Sequence, residues 1–165
     1  MNRQEKISEL MNAKKPVTLG LMARELGCSD LEAARALPTE NCSFIKNINM
    51  FDDLWFTMSQ WEKVTLFIIH EGHVFEIQSK LSAGKRAMGY YNILAKDAVI
   101  GGHINPDSLE TVAFISMPFM GRESHYVAFF GKDQKLHFCI YVGRENHRLI
   151  ESVKEGFLKA KTQFC

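Results

Sequence analysis

Apolar residues recur at helical intervals through the opening of the chain and at strand intervals through most of the rest. Ile7, Leu10 and Met11 share one face of a helix over Arg3 to Met11, which Lys14, Lys15 and Pro16 interrupt. Thr18 is placed to cap a second helix that runs to about Leu26 and stops at Gly27. Ser29 caps a third over Asp30 to Leu37, with Glu32 completing a capping box and Pro38 closing the segment. A short strand over Cys42 to Ile45 precedes an amphipathic helix over Phe51 to Trp61, which turns Leu54, Trp55 and Met58 inward. Candidate strands then follow in succession: Lys63 to His70, His73 to Lys80, Gly89 to Ala95, Ala98 to Ile104, Thr111 to Met117, His125 to Phe130 and Leu136 to Val142. A last helix from Asn146 to about Phe164 carries Leu149, Ile150, Val153, Phe157 and Leu158 on one stripe. The pattern predicts an α+β fold: a large antiparallel meander of about seven or more strands, an N-terminal group of short helices, and a C-terminal helix packed on the sheet. Residues 1–165 are expected to form one domain, helical over 1–38 and built on the sheet over 42–165.

Composition narrows the function. With 165 residues, 46% of them hydrophobic, the chain has enough material for a real core. Lys and Arg total 20 against 19 acidic residues, so no overall positive field draws it to nucleic acid. The second and third helices have a helix-turn-helix outline. The would-be recognition helix, however, carries Asp30 and Glu32 and only Arg35 as a basic residue, which argues against groove binding. The charged N-terminal stretch lacks the apolar centre of a secretory signal, and no run approaches the ~18 apolar residues of a membrane span, so a cytoplasmic location is expected. Cys28, Cys42, Cys139 and Cys165 are scattered, without zinc or covalent-haem spacing, and read as reduced thiols.

Candidate chemistry concentrates in Lys85 to Ile104, KRAMGYYNILAKDAVIGGHI. Two short strands flank a polar break at Lys96-Asp97. A two- or four-residue loop sets Tyr90 opposite His103, Asn92 opposite Gly101 and Leu94 opposite Val99; a three-residue loop sets Tyr91 opposite His103 instead. Directly opposed residues share a face with Cβ atoms roughly 4.5 to 5.5 Å apart, so a tyrosine meets this histidine in either register. Gly101 and Gly102 precede the histidine, where glycine marks a bulge or the close approach of a ligand. Tyr and His both ligate haem iron, and a slot floored by glycine suits a macrocycle. The alternative is a tyrosine and histidine satisfied within the sheet.

Other positions carry less. Glu71-Gly72 forms a two-residue turn with His70 opposite His73, but a zinc site needs further ligands. Arg122, after the Met120-Gly121 bend, is suited either to a ligand carboxylate or to neutralising Glu123. Arg144 and Arg148 read as surface partners, and His137 as a structural strand residue. No helical metal motif, phosphate loop or nucleophile elbow is present, and no catalytic residue is assigned.

Taken in order, WEKVT at 61–65, GYYN at 89–92, GHI at 102–104, PFMGRESHY at 118–126 and YVGRENHR at 141–148 resemble the HutX/ChuX family of haem-utilisation carriers, and the short N-terminal helices ending in ALP at 36–38 extend the likeness over nearly the whole chain. The resemblance implies an α+β homodimer whose two chains together look like one ChuS/HemS-type protein. It implies a cytoplasmic task in iron acquisition: binding haem non-covalently and delivering it to a haem-degrading partner. In that family the GYYN tyrosine and the GHI histidine are associated with the iron, which maps onto Tyr90 and His103. Tyr91 is the alternative phenol, while Lys85, Arg86 or Arg122 are available to the propionates. A further haem-associated histidine of some members has His70 as its nearest counterpart, displaced by one residue, with Ile69 in the aligned place. The rival readings are a haem-degrading enzyme of the ChuS/HemS type and, third, a helix-turn-helix regulator.

Overall fold

The computed structural model describes residues 1–96 and 98–165; Asp97, half of the expected Lys96-Asp97 turn, lies outside the described residues. Three short helices come first: α1 (Arg3–Met11), α2 (Leu19–Leu26) and α3 (Asp30–Ala36). Their ends are written in local chemistry. The Thr18 side chain accepts from the N–H of Leu21, Gly27 closes α2 at φ 66°, and Ser29 and Glu32 form the capping box of α3. Strand β1 (Cys42–Phe44) leads to α4 (Phe51–Ser59), and then to the hairpin β2 (Val64–His70) and β3 (His73–Ser79). Next come β4 (Gly84–Ala87), β5 (Tyr90–Ile93) and β6 (Gly102–Ile104), followed by the long strands β7 (Leu109–Ser116), β8 (His125–Gly131) and β9 (Leu136–Val142). A small hairpin, β10 (Arg144–Glu145) and β11 (Arg148–Leu149), precedes α5 (Glu151–Phe164).

The antiparallel α+β class is as expected, but the strands divide instead of running as one meander. Six form a sheet in the order β1-β7-β8-β9-β2-β3, and β4-β5-β6 form a separate sheet. The division begins after β3. Lys80 Nζ donates to the carbonyls of Ser59 and Trp61 at the end of α4, Leu81 is buried, and the Trp55 indole donates to the Ser82 carbonyl at 2.9 Å. These contacts lift the chain off the large sheet and across α4. Strand β9 then takes the place beside β2, with Val64 opposite Val142 and Ile68 opposite Phe138.

Each face of the large sheet has its own core. On one, Ile7, Met22, Leu31 and Ala33 of α1–α3 pack against Ala113, Ala128, Phe130 and Cys139. On the other, Phe51, Leu54 and Trp55 of α4 and Phe157 and Phe164 of α5 pack against Phe114, Phe129 and Ile140. The start of α3 is tied into the β8–β9 turn: Ser29 Oγ donates to Gln134 Oε1 at 2.8 Å, and Asp30 Oδ2 accepts from the Leu136 N–H at 2.8 Å. The helix-turn-helix outline is thus a sheet-packing unit whose second helix begins against another loop.

Two expectations near the C-terminus change. The helix begins at Glu151, because Asn146 and His147, at φ 49° and 66°, make the two-residue turn of β10–β11. Leu158 is exposed; the inward stripe of α5 is Val153, Phe157, Ala160 and Phe164.

Candidate functional site

Between the two sheets lies an apolar cleft of about 510 Å³. Leu66, Ile68, Ile77 and Phe138 of the large sheet line one side, residues 99–105 line the other, and Trp55 and Leu109 also contribute. The large-sheet wall is a ladder of cross-strand pairs, Leu66 with Ile77 and then Ile68 with Phe75. This wall emerges into solvent, where Ile68 is 39% and Phe75 62% exposed. Sequence alternation carries the same face outward to His70 and His73, paired across the Glu71-Gly72 turn as expected. His70 therefore shares the cleft's side of the sheet, while Ile69 belongs to the core under α1–α3.

The expected pairing of Tyr90 with His103 is replaced by another register. Strand β6 is shorter than its pattern suggests, and residues 94–101 connect it to β5, so Asn92 stands opposite His103 and Tyr91 opposite Ile104. None of the three loop lengths considered from the sequence gives this ladder. Tyr90 and Asn92 lie on one face two residues apart, so Tyr90 becomes the diagonal neighbour of His103. Their ring centroids are 5.9 Å apart, edge to face, and Tyr90 is 45% exposed. His103 borders the cleft, but its ring lies with Tyr90 and Asn92 on the exposed face of the small sheet, opposite the face on which Ile93 and Ile104 line the cleft.

Tyr91 points the other way, as strand alternation requires. It is buried against Phe51 and Trp55, its hydroxyl accepts from the Gly84 N–H at 2.8 Å, and burial pushes its phenol pKa up. It is a core residue and not a cleft residue. A Cβ on Gly84 would fall 2.3 Å from the Tyr91 ring, so this close approach requires glycine.

The glycines before His103 form part of one wall and not a floor. Gly102, at φ 146°, has open space where a Cβ would project, whereas a Cβ on Gly101 would meet Ala95 at 3.1 Å. The deeper surface is apolar side chain: Trp55, Leu66 and Phe138.

Of the basic candidates, Arg86 is held by Asp52 at the start of α4, its Nε 2.9 Å from both carboxylate oxygens, and this contact raises its pKa. Lys85 is exposed on the same strand. Arg122 closes the Phe119–Arg122 turn, next to a second depression lined by Leu10, Met11 and Met117, so it is not brought to the cleft. Nor does it neutralise Glu123. That carboxylate lies 2.5 Å from His125 Nε2 and 2.8 Å from Lys154 Nζ of α5, and the His125 and Lys154 contacts hold its pKa below the usual carboxylate value. Among the described residues, no group of three or more His, Cys, Asp or Glu is placed to hold a bare metal ion.

Asn92 and the cleft-lining Trp55, Phe138 and His137 were not assigned to the site from sequence. Asn92 carried a signal, as the one amide inside a strand otherwise made of Tyr and Ile. Its Oδ1 lies 2.6 Å from His103 Nδ1, and its Nδ2 reaches the carbonyls of Lys85, Ala87 and Tyr90. His137 sits at the bulge where β8 and β9 lose register, its Nε2 2.9 Å from Asp133 Oδ1.

Comparison with known proteins places this architecture. The chain is 30% identical to the intracellular haem transport protein HutX of Vibrio cholerae serotype O1, over 97% of its own length and 82% of that protein's. A protein of solved structure from Erwinia carotovora is 29% identical and superposes with a TM-score of 0.89, over 100% of this chain and 99% of the other. Apo-PhuS, a haem-binding protein from Pseudomonas aeruginosa, shares the fold at 10% identity and a TM-score of 0.80, with all of this chain covering 47% of PhuS. The family model for haem utilisation ChuX/HutX matches residues 46–157, a span that includes the cleft, strands β2 to β11 and the first half of α5. The chain belongs to the ChuX/HutX haem-utilisation family.

Proposed function

We propose that residues 1–165 act as one haem-carrier domain inside the cell, binding haem non-covalently in the cleft and passing it to a haem-degrading partner. The observation that carries this reading is the apolar cleft bordered by His103, whose imidazole shares an exposed face of the small sheet with the Tyr90 phenol. An apolar slot suits the faces of a porphyrin, and imidazole and phenolate are both iron ligands. His70, on the same side of the sheet but farther out, is a secondary candidate. Lys85 is the available cation on the small sheet, whereas Arg86 would first have to leave Asp52.

Open access fits a carrier, which must release its cargo as well as hold it. Ile68 and Phe75 leave the cleft's edge in solvent, where a receiving protein can approach. A homodimer is part of the proposal. One chain corresponds to about half of PhuS, and β3 ends the large sheet with Val74 and Phe75 exposed on its two faces.

Titrating haem into the purified protein tests the site: a stoichiometric Soret shift is expected, weakened in Tyr90→Phe or His103→Ala. Unchanged titrations in both variants would remove the assignment. Incubation with haem, reductant and oxygen separates carrier from enzyme. A persistent spectrum that moves to a second protein supports transport, whereas bleaching with iron release supports degradation.

A further inference from the structure

His103 can serve as an iron ligand through Nε2 only if that nitrogen carries a lone pair, and the structure holds the means of ensuring it. Asn92 stands directly opposite in the β5–β6 ladder, with its Oδ1 2.6 Å from His103 Nδ1. Which end of this amide is oxygen follows from its other contacts. Nδ2 lies 3.1, 3.1 and 3.3 Å from the carbonyl oxygens of Lys85, Ala87 and Tyr90. Carbonyl oxygens only accept, so turning the amide over would set Oδ1 against three other acceptors and forfeit every one of these bonds. One orientation satisfies the group.

The amide oxygen facing the imidazole is likewise only an acceptor, so the nitrogen it faces must carry hydrogen. In neutral His103 the proton therefore sits on Nδ1, and Nε2 keeps its lone pair. The acceptors that orient Asn92 belong to the β4–β5 hairpin. Ala87 and Tyr90 flank its two-residue turn, in which Met88 and Gly89 both have positive φ, at 55° and 82°. A turn made of backbone thus fixes an amide, and the amide fixes a ring.

We propose that Asn92 is a positioning residue that holds His103 as the Nδ1–H tautomer, presenting Nε2 as the electron-pair donor to the iron of bound haem. The iron half of this inference rests on the carrier reading; the tautomer half does not. Histidines that bind metals through one nitrogen generally donate the other N–H to an oxygen, and losing that partner typically weakens binding about 10–100-fold.

The test begins on the haem-free protein labelled with 15N-histidine, using two-bond proton–nitrogen correlation at about pH 8.5, above the ordinary imidazole range. His103 is expected as Nδ1–H in the wild type. A dominant Nε2–H signal would overturn the proposal, whatever haem does. Two variants separate positioning from mere support. Asn92→Leu removes acceptor and donors together, whereas Asn92→Asp keeps an acceptor toward Nδ1 and loses the donors to the hairpin. Positioning predicts that the Asp variant retains Nδ1–H while the Leu variant relaxes to the mixture of a free imidazole. Identical behaviour of the two would overturn it. With haem added, Asn92→Leu is expected to bind about 10–100-fold more weakly and to alter the iron-ligand bands. If His103→Ala leaves those bands unchanged, delivery of Nε2 to the iron is overturned, and the tautomer measured without haem is judged separately.

Discussion

The two faces of the large sheet are made of similar residues and end in different states. Directly under α1–α3, over β7–β9, the cover is tight: Met22, Ala33, Ala113 and Phe130 are all inaccessible to solvent, and only toward the β3 edge does this face open, at Val74. On the opposite face, α4 and α5 seal the β7–β8 end just as tightly, but toward β2–β3 the cover is the small sheet, which stands off and leaves the cleft. The lesson is one of layer geometry. Helices with whole apolar stripes close a sheet, whereas a short three-stranded sheet joined by glycines and loops roofs it without filling the space beneath. One face stabilises the protein, and the other leaves apolar surface available to a ligand.

The largest effect should come from puncturing a closed region. Leu31→Ala under the N-terminal helices or Phe157→Ala under α5 is expected to cost about 3–5 kcal/mol in urea unfolding, since each is fully buried. A loss below about 1 kcal/mol would mean that these faces are not close-packed. The open end should respond in the opposite sense. Phe75→Ser, at an exposed site, is expected to leave stability within about 0.5 kcal/mol. Haem affinity should fall roughly tenfold or more, because burying a phenylalanine side chain contributes about 1.5–3 kcal/mol. Calorimetric unfolding and haem titration on the same variant distinguish the two properties.

The adjacent tyrosines sharpen the contrast within one strand. Tyr91→Phe removes the hydroxyl that receives the Gly84 N–H and should lower stability by about 1 kcal/mol while leaving the haem spectrum alone. Tyr90→Phe should do the reverse. The smallest effect concerns the closure of α5. Glu123 is ionised more readily in the folded protein than its ordinary value near 4.5, chiefly through His125 and then Lys154. Its contribution is therefore complete above that value and is lost as pH falls through the lowered folded value. Glu123→Gln should flatten this acid limb of the stability curve and change little at neutral pH, because the carboxylate is solvent-exposed.

What the sequence disclosed follows the range of the interactions involved. The caps at Thr18, Ser29 and Gly27 and the Glu71-Gly72 turn were legible because each is settled within a few residues. Strand β4 was missed: Gly84, Lys85, Arg86 and Ala87 form a polar, mostly exposed edge without apolar alternation. The β10–β11 hairpin hid inside a helical pattern, since Leu149 and Ile150 fit the stripe of α5 and only Asn146 hinted at a turn. The pairing of β2 with β9 joins Val64 to Val142, a contact that no local pattern encodes. At the site, residue types were visible and register was not. Two of the three residues now placed together, Tyr90 and His103, were named, but with residues 94–101 taken as strand and tight loop, Asn92 was set opposite Gly101 instead of His103.

The indole of Trp55 contributes to the cleft and donates to Ser82, whereas the chain's other tryptophan, Trp61, packs against Gly156 in α5. The two therefore form a pair of fluorophores unequally placed with respect to the proposed cargo. Arrival of a porphyrin should quench Trp55 most strongly, so a Trp61→Phe protein would report loading and unloading through its own ultraviolet emission. Transfer to an acceptor could then be timed without an added dye.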